Sequence, residues 1–167
     1  MNRLTITAIV GAKNIVHFTD YPATEDIAKK YYETGIRNVL WIQPNLSVQK
    51  EAYTSVATVP IVSQHICIPY WTLDTLDQIY DRSKAYLAFE DVEAVSLVDV
   101  GNEEQRVLCL EGSKKIFQKY RNIQTVILPI SATGDFSEVN TPQGKKMTEL
   151  GFSMNLVNAE VVVYVRS

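Results

Sequence analysis

Hydrophobic positions along the chain alternate between two rhythms, short apolar runs and stretches with apolar residues three or four apart. Leu4 to Val10 and Asn14 to Phe18 have strand-like patterning, broken at Gly11. Thr24 then predicts a helix N-cap. Glu25 and Asp26 lie in its first turn, Ile27 and Tyr31 share one face, and Gly35 is the stop. Val39 to Ile42 predicts a strand ended by Pro44, and Asn45 to Val56 reads as helical. Ile61 to Ile68 predicts a strand between Pro60 and Pro69, and Thr72 caps a helix with Leu73, Leu76 and Tyr80 on its apolar face.

In the second half, Tyr86 to Phe89 and Ala94 to Val100 read as two strands joined by the acidic turn Asp91-Val92-Glu93. Gly101 to Gln105 is polar, and Arg106 to Leu110 has the pattern of a short strand. Gly112-Ser113 opens a helix that buries Ile116, Phe117 and Tyr120. Thr125 to Ile130 is a strand, and Ala132 to Asn140 a loop. Thr141-Pro142 starts a helix that Gly151 stops, and the Val-rich run Ala159 to Val165 is a well-packed strand. The fold class is therefore α/β (α+β), a mixed twisted sheet flanked by helices.

Composition adds bounds to this pattern. The 167 residues suit a single domain, 1–167, and 46% hydrophobic residues suffice for a self-supporting core. The net charge of −3 gives no global attraction to nucleic acid or to an anionic membrane. Cys67 and Cys109 lie in apolar runs and read as buried thiols. No run approaches the ~20 apolar residues of a membrane helix, and the N-terminus has no leader-like pattern. The expectation is a soluble, cytoplasmic protein.

Met147-Thr148-Glu149-Leu150-Gly151-Phe152, the Tyr86 to Val100 pair and the order of elements after them resemble the GNAT superfamily of N-acetyltransferases. The resemblance covers about residues 76–167 and leaves about residues 1–75 without a family reading. It implies a GNAT-like sheet with a splayed strand pair and a β-bulge beside Leu110. It also implies an acetyl-CoA site at the turn Leu110 to Lys115. Gly112, Ser113, Lys114 and Lys115 would hold pyrophosphate, and Glu111 would be the general base.

The chain departs from that family twice. The turn has one glycine, with Glu111 facing the phosphate position, and Met147 stands where the family carries a proton-donating tyrosine. These departures imply a degenerate GNAT-like domain without a cofactor, working by protein binding, homo-oligomerisation or assembly, with neither nucleic acid nor membrane as partner. The alternative is a divergent acyl-CoA-dependent N-acyltransferase using acetyl-CoA. A third reading is a doubly wound α/β domain unrelated to that family.

Other groups read as structural. Lys114 and Lys115, and Lys145 and Lys146, fall in the first turns of two helices and read as solvated cations, the alternative being a bound anion. His65 and Cys67 share a strand face without an orienting acid, and His17, His65, Cys67 and Cys109 are too scattered to ligate a metal. Asp91, Glu93, Asp99, Glu103 and Glu104 read as a solvated acidic edge, the alternative being a group that attracts an amine substrate or a basic partner. Tyr31, Tyr32, Trp41, Tyr53, Tyr70 and Trp71 serve equally as core or interface, with Tyr70-Trp71 the pair most suited to a partner surface.

Overall fold

The fold is taken from a computed structural model that describes residues 3–21, 23–44, 56–68, 91–131 and 138–166. Its elements are α1 (Arg3–Ile9), β1 (Asn14–Thr19), α2 (Glu25–Thr34), β2 (Asn38–Pro44), β3 (Val62–Ile68) and β4 (Ala94–Asp99). They continue with α3 (Glu103–Glu111), α4 (Lys114–Lys119), β5 (Thr125–Pro129), α5 (Pro142–Glu149), β6 (Phe152–Val157) and β7 (Val161–Arg166). The seven strands form one sheet in the order β3-β2-β1-β4-β5-β7-β6. β1 to β5 are mutually parallel, and β7 runs antiparallel between β5 and β6.

The strands are apolar on both faces, as a parallel sheet covered on both sides requires. Val16, Phe18, Leu40, Ile42, Val95, Leu97, Val126 and Tyr164 point to one side, where Cys109, Leu110, Ile116, Phe117 and Met147 of α3, α4 and α5 meet them. Ile15, Val39, Trp41, Ala94, Ile127 and Val163 point to the other, against Ile9 of α1 and Ala28 and Tyr31 of α2. Helix α2 follows its sequence signals. The Thr24 hydroxyl accepts from the Ile27 N–H, and Gly35 closes the helix at φ +104°.

Several expectations need correction. Leu4 to Val10 is helical, not a strand. Its buried Thr5 and Ile9 are four apart and pack with the helix against β5 and β7, so a tertiary contact overrides β-prone composition. Arg106 to Leu110 lies inside α3, which Asn102 caps by accepting from the Gln105 N–H, so no β-bulge stands beside Leu110. β4 is flanked on both sides by parallel strands, β1 and β5. No edge of it is left for the antiparallel pairing that the GNAT resemblance required. The α/β sheet flanked by helices stands, but it is not GNAT-like.

The Leu-Gly-Phe motif proves to be a helix stop at Gly151, φ +91°, leading into β6, a strand the sequence pattern did not reveal. Tyr86 to Phe89, the Thr72-capped helix and nearly all of Asn45 to Val56 lie outside the described residues. Among the described residues no helix is long and apolar enough to cross a membrane.

Gly144 tests the close packing at the start of α5. A Cβ there would lie 2.1 Å from the Glu138 carbonyl oxygen and 2.8 Å from Val139 Cα. Both are backbone atoms that cannot swing away. Gly144→Ala is expected to destabilise by about 2–3 kcal/mol, the upper range for overpacking. Urea unfolding of the two proteins measures this, and an unchanged midpoint would show that the turn relaxes freely.

Candidate functional site

Strand order reverses between β1 and β4. β1 leads outward through β2 to β3, whereas β4 leads the other way to β5. The connections leaving the carboxyl ends of β1 and β4 therefore diverge over opposite faces and leave a crevice between them. The residues that follow or end the strands here are Thr19 to Tyr21, Ala23 and Thr24 after β1, Gln43 near the end of β2, and Asp99 to Asn102 after β4. The two connections are joined directly. The Asp20 N–H donates to the Asp99 carbonyl at 3.1 Å, and the Gly101 N–H donates to the Asp20 carboxylate at 2.7 Å.

A chain of side chains runs from the crevice into the interior. His17 sits on the α2 side of β1, 1% exposed. Its Nε2 lies 2.8 Å from Asp99 Oδ2, and its Nδ1 lies 2.5 Å from the Tyr31 hydroxyl on α2. The carboxylate only accepts, so Nε2 carries the hydrogen and Nδ1 accepts from Tyr31. Edge contacts with Tyr31 and Trp41 fix the ring plane. Burial pushes the Tyr31 phenol well above its ordinary value, so it stays a donor.

The Asp99 side chain is 17% exposed. Tyr21, 45% exposed, lies over it. Burial, then the hydrogen bond and charge of Asp99, push the Tyr21 phenol up.

Two further features define the crevice. Gln43 is fully buried. Its carbonyl oxygen accepts from the Ala23 N–H, while its Nε2 has no hydrogen-bond partner among the described residues. Both helices that begin here open on acid pairs, Glu25-Asp26 and Glu103-Glu104. Carboxylates thus occupy the positive ends of the helix dipoles, where a phosphate would otherwise bind.

Arg106 is 3% exposed and turned inward. Its Nη1 donates to the Val100 carbonyl and its Nε to Gln143 Oε1, both at 2.8 Å. Gln143 Nε2 donates to buried Glu138, whose carboxylate also accepts from the Ser131 N–H. The Ser131 hydroxyl donates to Glu103. This network ties α3 and α5 to the ends of β4 and β5 and closes that flank of the crevice.

The residues expected to form the site lie elsewhere. Glu111 ends α3, about 12 Å along the helix from Glu103 at its crevice end. It pairs with Lys146 at 2.5 Å, and Lys146 also pairs with Glu149 at 2.8 Å. Gly112 ends α3. Ser113 is buried, with its hydroxyl donating to the Cys109 carbonyl at 2.7 Å. Lys114 and Lys115 begin the six-residue α4. Lys145 and Lys146 fall in the body of α5, not at its start.

The acidic group is divided. Glu93 precedes β4 and accepts from the Lys13 N–H at the opposite end of the sheet from Asp99, Glu103 and Glu104. His65 stacks on Trp41, and burial pushes it down to about 4. Cys109 is buried, which pushes its thiol up, and the Cys67 side chain lies outside the described residues. Tyr53, Tyr70 and Trp71 lie there too, while Tyr32 is exposed beneath Arg37.

No protein-family model and no curated protein matches the sequence. Solved structures do match its fold. Sp1610 of Streptococcus pneumoniae, assigned as a tRNA (m1A22) methyltransferase and solved with S-adenosyl-L-methionine, superposes with a TM-score of 0.59 at 14% identity. The match covers 100% of this chain and 74% of that one. A ribosomal protein L11 methylase from Lactobacillus delbrueckii subsp. bulgaricus gives 0.54 at 14% identity, over 98% and 75% of the two chains. The methyltransferase domain of a bacterial Hen1 gives 0.55 at 12% identity, over 97% and 94%.

At such identity the likeness is one of fold. It corrects the GNAT resemblance and what followed from it, a non-catalytic binding or assembly domain, an acyl-CoA-dependent transferase, and acetyl-CoA or no cofactor. All these neighbours are methyltransferases, and one carries S-adenosyl-L-methionine.

Asp99 offers a test of the chain of side chains. Burial opposes its charged form, but the hydrogen bonds from His17 and then Tyr21 outweigh burial and hold the carboxyl below its ordinary value. A carboxyl held low in the folded state contributes stability above its unfolded value, and that contribution is lost as pH falls through the folded one. Asp99→Asn is expected to cost about 1.5 kcal/mol at neutral pH, as for a hydrogen bond to a charged group. The difference from wild type should shrink below a pH of about 4. Urea titrations across the acid range check this; a deficit independent of pH would mean that Asp99 acts by packing alone.

Proposed function

We propose that this protein is an S-adenosyl-L-methionine-dependent methyltransferase, with its donor in the crevice between the β1 and β4 connections. The observation that carries the reading is a crevice at the switch point whose two helix starts open on acids, with no phosphate-binding apparatus among the described residues, in the fold of proteins named as methyltransferases. Nucleotide cofactors bearing pyrophosphate need free helix N-termini or cations. Here those helix ends open on acids, and Arg106, the cation on this flank, is spent on Val100 and Gln143.

S-adenosyl-L-methionine carries no phosphate, and its sulfonium supplies an electrophilic methyl group. The residues present suit such a ligand. Asp20 and Asp26 give a field that favours a cation, while Glu25 of the same turn pairs with Lys29 at 2.9 Å. The unpaired Gln43 amide is a buried donor at the end of β2, next to the β1–α2 connection it already holds through Ala23. A buried donor without a partner is costly until a ligand satisfies it. The connection Asp20-Tyr21-Pro22-Ala23-Thr24 contains no glycine. The donor would therefore meet the side chains of Asp20 and Tyr21 there rather than bare backbone.

A donor at about 100-fold excess over its Kd stabilises a native protein by about 2.7 kcal/mol. S-adenosyl-L-methionine is therefore expected to raise the Tm by several degrees, whereas NAD and acetyl-CoA leave it unchanged. Gln43→Leu should fold with near-wild-type stability and bind the donor about tenfold more weakly, a loss of about 1.4 kcal/mol. Calorimetric titration reads both. A Tm that responds to NAD and not to S-adenosyl-L-methionine would overturn the proposal.

A further inference from the structure

At the amino ends of the parallel strands, a strand length from the crevice (about 17 Å along β4), two arginines stand together without an acid. Arg166 ends β7 directly opposite Phe152, the first residue of β6. Its guanidinium lies 4.6 Å from the Phe152 ring centroid and 5.9 Å from that of Phe117. Both rings are buried and meet edge to face at 5.1 Å, so they form a fixed platform. Arg166 Nη2 donates to the Tyr120 carbonyl at 3.1 Å, while its Nε is buried with no hydrogen-bond partner among the described residues. Arg121, which follows Tyr120, is exposed and close enough to act on Arg166 by charge. Among the described residues neither arginine pairs with a carboxylate.

The neighbouring segments do not supply the missing anion. Between Gly112 and Gln124 the chain carries Lys114, Lys115, Lys119 and Arg121 and no acid. Glu111 of α3 and Glu149 of α5 both pair with Lys146, and Glu149 also lies in the field of Lys114. On the β4 side, Asn122 and Gln124 bind the connection that carries Asp91 and Glu93. The Glu93 carboxylate accepts from the Lys13 N–H and the Asn14 amide. Asp91 is exposed and in no ion pair among the described residues. A guanidinium keeps its proton at neutral pH, so the cost of two like charges, one of them half-buried, persists until an anion joins them. Burial, and then the charge of Arg121, push Arg166 below its ordinary value, the direction that cost requires.

We propose that Arg121 and Arg166 form a binding site for a phosphate group, with the Arg166 fork set by the phenylalanine platform and Arg121 closing on the anion from solvent. A planar guanidinium matches phosphate oxygens two at a time, which a lysine ammonium does not. Stacking on Phe152 orients the fork before the ligand arrives, so little side-chain entropy is lost on binding. The phosphate is that of a free monoester or of a nucleic-acid backbone, and the recognising chemistry is the same for both. The site stands apart from the crevice, whose helix starts open on acids, and it does not depend on methyl transfer.

The test follows the amide NMR shifts of Arg121 and Asn122 in the full chain while sodium phosphate replaces sodium chloride at constant pH and ionic strength. Phosphate is expected to shift them saturably. Arg121→Ala alters an exposed side chain and leaves the core untouched; it should weaken binding about tenfold, as loss of one charge-assisted contact does. Arg166→Lys keeps the charge but loses the fork, and should weaken binding by a similar factor. Methyl phosphate and a short oligouridylate then separate the two sources. Tighter binding of the first assigns a monoester and tighter binding of the second a nucleic-acid backbone, and either supports the site when Arg121→Ala weakens it. Shifts that do not saturate, that acetate reproduces with equal affinity, or that persist unweakened in Arg121→Ala would overturn the proposal.

Discussion

The structure depends on β1 being hydrogen-bonded along both edges to parallel strands, β2 on one side and β4 on the other. A parallel pair cannot be closed by a tight turn, so each neighbour must be reached by a crossover over one face of the sheet. Because the chain visits β2 and β3 first and then returns to the other edge of β1, the crossovers at β1 and β4 part company. The crevice is a consequence of that pairing rather than of any loop sequence. Asp20 then makes the gap rigid, since its backbone and its carboxylate both bind the β4 side.

Burial of β1 on both faces is also what gives His17 its role. A histidine on an exposed edge would be solvated. On a central strand it must satisfy both ring nitrogens within the protein, and Tyr31 and Asp99 do so from α2 and β4. Three elements are thus locked by one ring. The carboxylate it holds is also the polar group of β4 that reaches the crevice.

Much of this was legible in the sequence, and what was not has identifiable physical causes. β1, β2, β3, β4, β5 and β7 follow from apolar runs bounded by Gly, Pro and polar residues, and α2 from Thr24 and Gly35. Arg3 to Ile9 and Arg106 to Leu110 mislead because both are short and β-prone, so periodicity does not separate strand from helix at that length. β6 is masked by its own exposure. Ser153 to Val157 are all exposed, on an edge strand whose register slips near Asn155, so it lacks a buried alternation. The site was hidden because His17 and Asp99 are 82 residues apart and meet only through strand order. No local motif records that meeting. The available signal was a histidine within the apolar run Ile15 to Phe18 and an aspartate closing the apolar run Ala94 to Val98.

Negative charge at the crevice has two sources that reinforce each other. Acids in the first turn of α2 and α3 stabilise those helices against their dipoles, a requirement of local structure. In doing so they remove the usual reason for an α/β crevice to bind phosphate. The inward Arg106 completes this, because its guanidinium is held by the Val100 carbonyl and the Gln143 side chain rather than turned to a ligand. A crevice of this topology that rejects phosphate still offers shape, buried donors and a negative field. Among small cofactors those properties suit one that is itself cationic and phosphate-free, as proposed above. The fold match and the acids at these helix starts are the two separate observations on which the proposed sulfonium donor rests.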